Sequence, residues 1–235
     1  MRIGVMTDIG KARRTNEDAF LAEPPWFAVA DGMGGHAAGD VASRLAIEAV
    51  RSFVAGREDP AETVIVEAIR KANGMIWRRS QENRWLDGMG TTLTLMKVES
   101  GRCVIGHVGD SRGYLVRDGA VRRLTTDHSV VEELVRTGTL SEREALEHPQ
   151  RNLLTRALGA NPDVQVDLVT EPLMAGDRLL LCTDGLTAVV LDHELGEILT
   201  EEAEPEKAAA RLVQIANARG GPDNITVVVL ELPQP

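Results

Sequence analysis

At 235 residues, with 43% hydrophobic and 26% charged side chains, the chain can bury a sizeable core, which excludes a disordered chain. Acidic residues outnumber basic ones by 36 to 26, a formal charge of −10, which argues against a surface built for nucleic acid or anionic lipid. The two cysteines, Cys103 and Cys182, each lie in an apolar run, so they read as reduced thiols in buried strands rather than a disulfide framework.

Residues 2–6 and 26–30 read as strands, the second apolar throughout and therefore central. After the glycines at 32–35 the period changes. Val41, Leu45, Ala49 and Phe53 recur every fourth position, with Ala42, Ala46 and Val50 beside them, which predicts an amphipathic helix over 38–55. A second helix is expected over 60–81, with Pro60 near its start and Val64, Ala68 and Ile69 inside. Strands follow at 91–98, 102–108 and 112–117, and a hairpin turn at Asp118-Gly119 leads into 121–124. Residues 125–160 are polar and mixed in pattern, with short helical stretches near 129–136 and 141–147, and read as an excursion over the surface. Strands resume at 164–169 and 178–182, helices at 192–200 and 205–218, and a last strand is expected at 224–231.

Reduced thiols make cytoplasmic residence the expectation; no window approaches the length of a membrane span, and Asp8 ends the opening apolar stretch too early for a signal peptide. One domain is expected, without repeats or a disordered linker. The short connections imply antiparallel strands, and the paired helices imply covered sheets, whose number the pattern leaves open.

Three apolar strands run into an aspartate: Asp31 after Phe-Ala-Val-Ala, Asp110 after Ile-Gly-His-Val-Gly, and Asp184 after Leu-Leu-Leu-Cys-Thr. Asp223 precedes another apolar strand, and Glu17-Asp18 precedes Ala-Phe-Leu. Carboxylates at the ends of buried strands are the parts of a hard-cation site, and several brought together repel unless a divalent ion neutralises them. Asp-Gly is equally a common turn, as Asp118-Gly119 and Asp87-Gly88 illustrate, so composition alone leaves both readings open.

The motifs in order narrow the choice. Thr7-Asp8-x-Gly10-x-x-Arg13-x-x-Asn16-Glu17-Asp18 resembles the opening motif of the metal-dependent protein phosphatases, the protein phosphatase 2C family. Asp31-Gly32-Met-Gly-Gly-His36 resembles the second motif of its bacterial-type members. The resemblance continues through Gly90-Thr91-Thr92, Gly109-Asp110-Ser111-Arg112, Thr126-Asp127-His128-Ser129, Arg151-Asn152-x-x-Thr155-Arg156, Thr183-Asp184-Gly185 and Asp223-Asn224-Ile225-Thr226. Each motif is weak alone; the ordered set, spanning residues 7 to 231, is specific. It implies an α+β four-layer sandwich, two central antiparallel β-sheets each flanked by a pair of α-helices. The whole of 1–235 would be one phosphatase catalytic domain, with 125–160 as its flap beside the active site.

The resemblance also implies roles. Asp31 would bridge two divalent cations, Mn²⁺ or Mg²⁺, and the Gly32 carbonyl would bind one of them. Asp184 and Asp223 would complete the other shell, and a water between the ions would attack phosphorus. Glu17 and Asp18 are the remaining ligands; neighbours on a strand face opposite ways, so at least one is expected to act through water. Arg13 would clamp phosphate, its planar fork of donors matching phosphate oxygens. Asp110 would hold a third, weaker ion shared with Asp184, although Ala188 stands where many members carry an acidic or amide residue. Met33 replaces a histidine proposed as general acid in eukaryotic-type members, leaving protonation of the departing serine oxygen to water. Arg14 reads as a solvated charge, and His36, His107 and His128 as structural.

The expected activity is hydrolysis of phosphoserine and phosphothreonine in phosphorylated proteins, with a serine/threonine kinase and its targets as partners of a monomeric chain. The alternatives are a catalytically silent phosphoprotein-binding pseudo-phosphatase and a domain whose cations only hold the fold. A dinucleotide-binding reading fails because the glycines at 32–35 lack Gly-x-Gly-x-x-Gly spacing.

Overall fold

Strands that are apolar on both faces need cover on both sides, and the molecule supplies it with two sheets back to back and helices outside. The computed structural model describes residues 1–34 and 38–233. In chain order the strands are β1 (Arg2–Asp8), β2 (Asp18–Glu23), β3 (Trp26–Met33), β4 (Gly90–Thr91), β5 (Leu93–Glu99), β6 (Arg102–Val108), β7 (Arg112–Arg117), β8 (Ala120–Arg123), β9 (Asp167–Pro172), β10 (Arg178–Cys182) and β11 (Ile225–Glu231). The helices are α1 (Ala38–Val54), α2 (Ala61–Glu82), α3 (Val130–Arg136), α4 (Glu142–Glu147), α5 (Asp184–Thr187), α6 (Asp192–Glu201) and α7 (Pro205–Ala218).

One sheet runs β1-β11-β10-β7-β8 and the other β2-β3-β5-β6-β9, with β4 continuing against β3. All pairings within them are antiparallel. Alternate residues of each central strand explain the layering. Phe27 and Val29 of β3 meet Leu179 and Leu181 of β10 and Val228 and Leu230 of β11 between the sheets. Ala28 and Ala30 of β3 face α1 and α2, whereas Leu180 and Cys182 of β10 face α6 and α7. The expected four-layer sandwich is therefore the observed one. Both cysteines are free and buried, as expected.

Several elements differ from the sequence reading, each for a tertiary reason. The buried face of α1 is Ala42, Ala46, Ile47, Ala49, Val50 and Val54, while Val41, Leu45 and Phe53 are only half-buried. The first turn of α1 lies close on β3: a Cβ on Gly32 would fall 2.1 Å from the Gly39 carbonyl oxygen. Strand β2, whose bounds the pattern left unset, is held by its ladder with β3. The stretch at 91–98 divides into β4 and β5, and the strand expected at 164–169 is displaced to Asp167–Pro172, where β6 offers partners from His107 back to Arg102. Asp31 lies inside β3 rather than beyond its end, and Asp184 opens the one-turn helix α5.

The Asp118-Gly119 turn has both residues left-handed, φ 51° and 78°, as a two-residue type I′ hairpin requires. Residues 125–160 carry α3 and α4 outside the sheets, but their ends are sewn into the body. His128 N donates to the Gly109 carbonyl (2.7 Å) and Thr155 N to the His128 carbonyl (2.8 Å). Arg112 holds the buried Asp127 through both carboxylate oxygens. Among the described residues no helix is long and apolar enough to cross a membrane.

Candidate active site

Antiparallel pairing decides which chain segments meet. Cys182 at the end of β10 lies opposite Val227 near the start of β11, so Thr183-Asp184 and Asp223-Asn224 come together although nearly 40 residues separate them. In the other sheet Asp18 is the direct cross-strand partner of Asp31. Asp110 follows the end of β6. A cleft of about 640 Å³ opens there, lined by Arg13, Glu17, Asp31, Gly32, Asp110, Asp184 and Asp223. Asp18 does not line it; it is buried beside Asp31. Residues 152–157, 160–161 and 163–165 form further lining. His36 lies outside the described residues.

Threonines next to the acidic residues hold them in place. Thr91 Oγ1 (2.8 Å) and Thr92 N (2.9 Å) both donate to the Asp31 carbonyl, and Asp31 N donates to Thr92 Oγ1 (2.9 Å). Thr183 Oγ1 donates to Asp18 Oδ2 at 2.9 Å while accepting from Thr226 N. Asn224 secures the opening loop: its Nδ2 donates to the carbonyls of Ile9 and Thr15, each at 2.9 Å, and its Oδ1 accepts from Glu17 N at 2.8 Å. Sequence reasoning named these motifs for their order but gave Thr92, Thr183 and Asn224 no task. The available signal was a hydroxyl or amide adjoining each acidic residue, next to strands that leave no other polar partner.

Electrostatics are set by crowding. Burial first, then the neighbouring carboxylates, raises Asp31 and Asp110 well above the usual carboxylate range. Asp184 is raised by burial and by Asp223, and burial pushes Asp18 up to about 7. Asp18 Oδ1 and Asp184 Oδ1 are buried without a hydrogen-bond partner among the described residues. Orphaned carboxylate oxygens are costly in the interior, and an all-oxygen donor set suits Mg²⁺ or Mn²⁺ rather than a softer metal. The residues present therefore fit divalent metal, although among the described residues no three acidic, histidine or cysteine side chains converge as a finished cage.

The Gly32 backbone, stripped of a side chain, accepts the close approach of Gly39 and donates its N–H to the Glu17 carbonyl at 3.1 Å. Glu17 precedes β2 and lines the cleft, whereas its neighbour Asp18, the first residue of β2, is buried beside Asp31. Arg13 lies half-exposed on the cleft, its Nη2 donating to Asp223 Oδ2 at 2.6 Å. That bond is the largest reason its pKa is raised, and a guanidinium offers further donors beyond it. Arg14 is exposed.

His128 and His107 are both buried and stacked, with ring centroids 4.9 Å apart. Gly109 N donates to His128 Nδ1 (3.0 Å), which puts the His128 proton on Nε2, facing Asp167 Oδ2 at 3.1 Å. His107 Nδ1 meets Thr94 Oγ1 at 2.9 Å, and burial lowers its pKa to about 4. Neither lines the cleft, in keeping with the structural reading.

Two helix-covered sheets whose strand ends bring five carboxylates and Arg13 to one cleft, with the carboxylate chemistry fitting divalent metal, point to a metal-dependent phosphomonoesterase. A protein phosphatase 2C family model matches residues 11–225, and the chain belongs to that family of phosphoprotein phosphatases. The serine/threonine phosphatase stp of Listeria monocytogenes is 42% identical over 237 residues, covering 96% of this chain and 93% of that one. The serine/threonine protein phosphatase PstP of Mycobacterium tuberculosis is 41% identical over 99% of this chain, which spans 45% of PstP. Its crystal structure superposes with a TM-score of 0.94, 41% identity and 99% of both chains covered. A structure of the PstP catalytic domain in complex with two manganese ions gives 0.92 at 39% identity, covering 99% of this chain and 98% of that one.

Proposed function

We propose that the chain is a Mn²⁺- or Mg²⁺-dependent serine/threonine protein phosphatase acting in the carboxylate cleft. The observation that carries the reading is the meeting of Glu17, Asp31, Asp110, Asp184 and Asp223, from five separate chain segments, around one cleft with Arg13 on its wall. In this reading Asp31 would be a ligand shared by two cations. The Gly32 carbonyl, Asp184, Asp223 and the Glu17-Asp18 pair supply the remaining oxygens, and Asp110 with Asp184 serves a weaker third ion. When bound, such cations supply positive charge for the crowded carboxylates and the Lewis acidity that makes water nucleophilic at neutral pH.

The protein's own contribution is positioning. Thr91 and Thr92 hold the Asp31 backbone from two sides, and Thr183 fixes the Asp18 carboxylate. Asn224 ties down the loop that presents Arg13. Arg13 uses one nitrogen on Asp223, so its remaining N–H groups orient phosphate oxygens in line for displacement. The domain reading is a single catalytic domain with 125–160 as flap. Its partners are phosphorylated proteins, among them a serine/threonine kinase and that kinase's targets, met by a monomer.

The test is release of phosphate from a panel of phosphoserine and phosphothreonine peptides with Mn²⁺, Mg²⁺ or EDTA. Turnover in either metal and none in EDTA supports the reading. Peptide retained without turnover in Mn²⁺ would leave a silent phosphoprotein binder instead.

A further inference from the structure

Helix α2 is packed on the sheet by apolar residues, yet its middle carries Asn73, only 1% exposed. A buried amide on such a face is costly unless fully bonded. Here every bond goes to one short segment. Asn73 Oδ1 accepts from Gly159 N at 2.8 Å, and its Nδ2 donates to the carbonyls of Asn161 and Pro162, both at 3.0 Å. Gly159 is left-handed (φ 83°), and a Cβ there would lie 2.4 Å from Ile76 Cγ2 on the same helix, so the segment runs tight against α2.

That segment is cleft wall. Ala160, Asn161, Asp163 and Val164 line the cavity that also holds the carboxylates. It is continuous with the catalytic end, because Leu158 bridges Thr91 through reciprocal backbone bonds of 2.9 and 3.1 Å, and Thr91 Oγ1 holds the Asp31 carbonyl. The Leu158 bridge anchors the start of the wall; Asn73 anchors the rest. Asn73 touches neither the carboxylates nor Arg13.

We infer that Asn73 is a positioning residue for peptide substrates: it sets the 159–163 wall against which the chain flanking the phosphorylated side chain lies. The inference rests on the phosphatase reading above and concerns that same cleft. A small phenyl phosphate needs only the carboxylate end and Arg13, whereas a phosphopeptide must also lie along the wall. Displacing the wall therefore penalises peptides selectively.

The experiment compares a phosphothreonine peptide with p-nitrophenyl phosphate as substrates of the full chain and of Asn73→Leu and Asn73→Ser. Leucine matches the size of asparagine but bonds nothing; serine keeps a donor and an acceptor on a shorter stem. For Asn73→Leu, KM for the peptide should rise on the order of tenfold with kcat little changed, as expected when seating rather than chemistry is lost. Kinetics on p-nitrophenyl phosphate should stay within about twofold of the parent, and Asn73→Ser should fall between. A merely structural role would depress both substrates together, and that result, or an unchanged peptide KM in a folded variant, overturns the inference. Should neither variant fold, amide exchange of the unaltered protein decides. A peptide with a phosphonate in place of the phosphate ester should slow exchange across 159–165, and no protection there would equally overturn it. Failure of the parent to hydrolyse either substrate would count against the phosphatase reading itself, a separate outcome.

Discussion

Stripping divalent metal from the protein should make its stability fall as pH rises through the neutral range. Asp18 in the folded chain titrates at about 7, against an ordinary aspartate value near 3.9. A carboxyl whose folded pKa is raised favours folding in its protonated form. Its contribution is full below the unfolded pKa and is lost as pH climbs through the folded one. Between pH 5 and 8 about two pH units of that shift are traversed, roughly 3 kcal/mol shared by Asp18 and the neighbouring carboxyls it titrates with. For a chain of this size that corresponds to a melting temperature lower by roughly 6–12 °C. Asp31, Asp110 and Asp184 are raised as well and act in the same direction.

Mn²⁺ should reverse the trend, because ligation requires the deprotonated carboxylates, and its stabilising increment should be larger at pH 8 than at pH 5. The assay is thermal unfolding across that range in EDTA and in Mn²⁺, with Asp18→Asn as the control expected to make the EDTA profile shallower, since Asp31, Asp110 and Asp184 remain. A melting temperature in EDTA that is flat or rises from pH 5 to 8, or an Asp18→Asn profile as steep as the parent's, would refute the electrostatic account of the site.

Replacing Asp31 by Ala should abolish phosphopeptide turnover in Mn²⁺; near-normal rates, measured by phosphate release, would mean that the carboxylate between the two ions is wrongly assigned. Arg13→Ala should leave the melting temperature within a few degrees, since the side chain is half-exposed, while weakening phosphopeptide binding by about 1.5–3 kcal/mol, the range for a charged hydrogen-bonding group. Isothermal titration with a non-hydrolysable phosphopeptide reads that loss. Asp127→Ala leaves the Arg112 guanidinium, which is 22% exposed, with only Tyr114 and the more distant Asp192, and should cost about 3 kcal/mol of stability, the low end for breaking a buried ion pair. Denaturant unfolding measures it, and a loss below about 1 kcal/mol would show that the pair is solvated.

Much of this protein was legible before any coordinates. Uniformly apolar strands such as Trp26–Ala30 must be covered on both faces, and Phe27 and Val29 do point between the sheets while Ala28 and Ala30 face helices. The ordered motifs carried the family, and the carboxylates they single out line or adjoin one cleft. What local pattern could not carry were features imposed by a partner. Strand β2 is held by the ladder with β3 beside it, and the start of α1 sits close on β3 because Gly32 and Gly39 let the backbones approach.

Chain order by itself determined the residue types, the apolar runs and the family, since periodicity and ordered motifs are properties of neighbours along the backbone. Tertiary structure alone decided that Asp18 faces Asp31, that Arg13 reaches Asp223 across 210 positions, and that Asn73 holds a loop more than 80 residues away. Those facts depend on register and on the crossing of sheets, and one residue's slip in a ladder would turn each side chain to the opposite face.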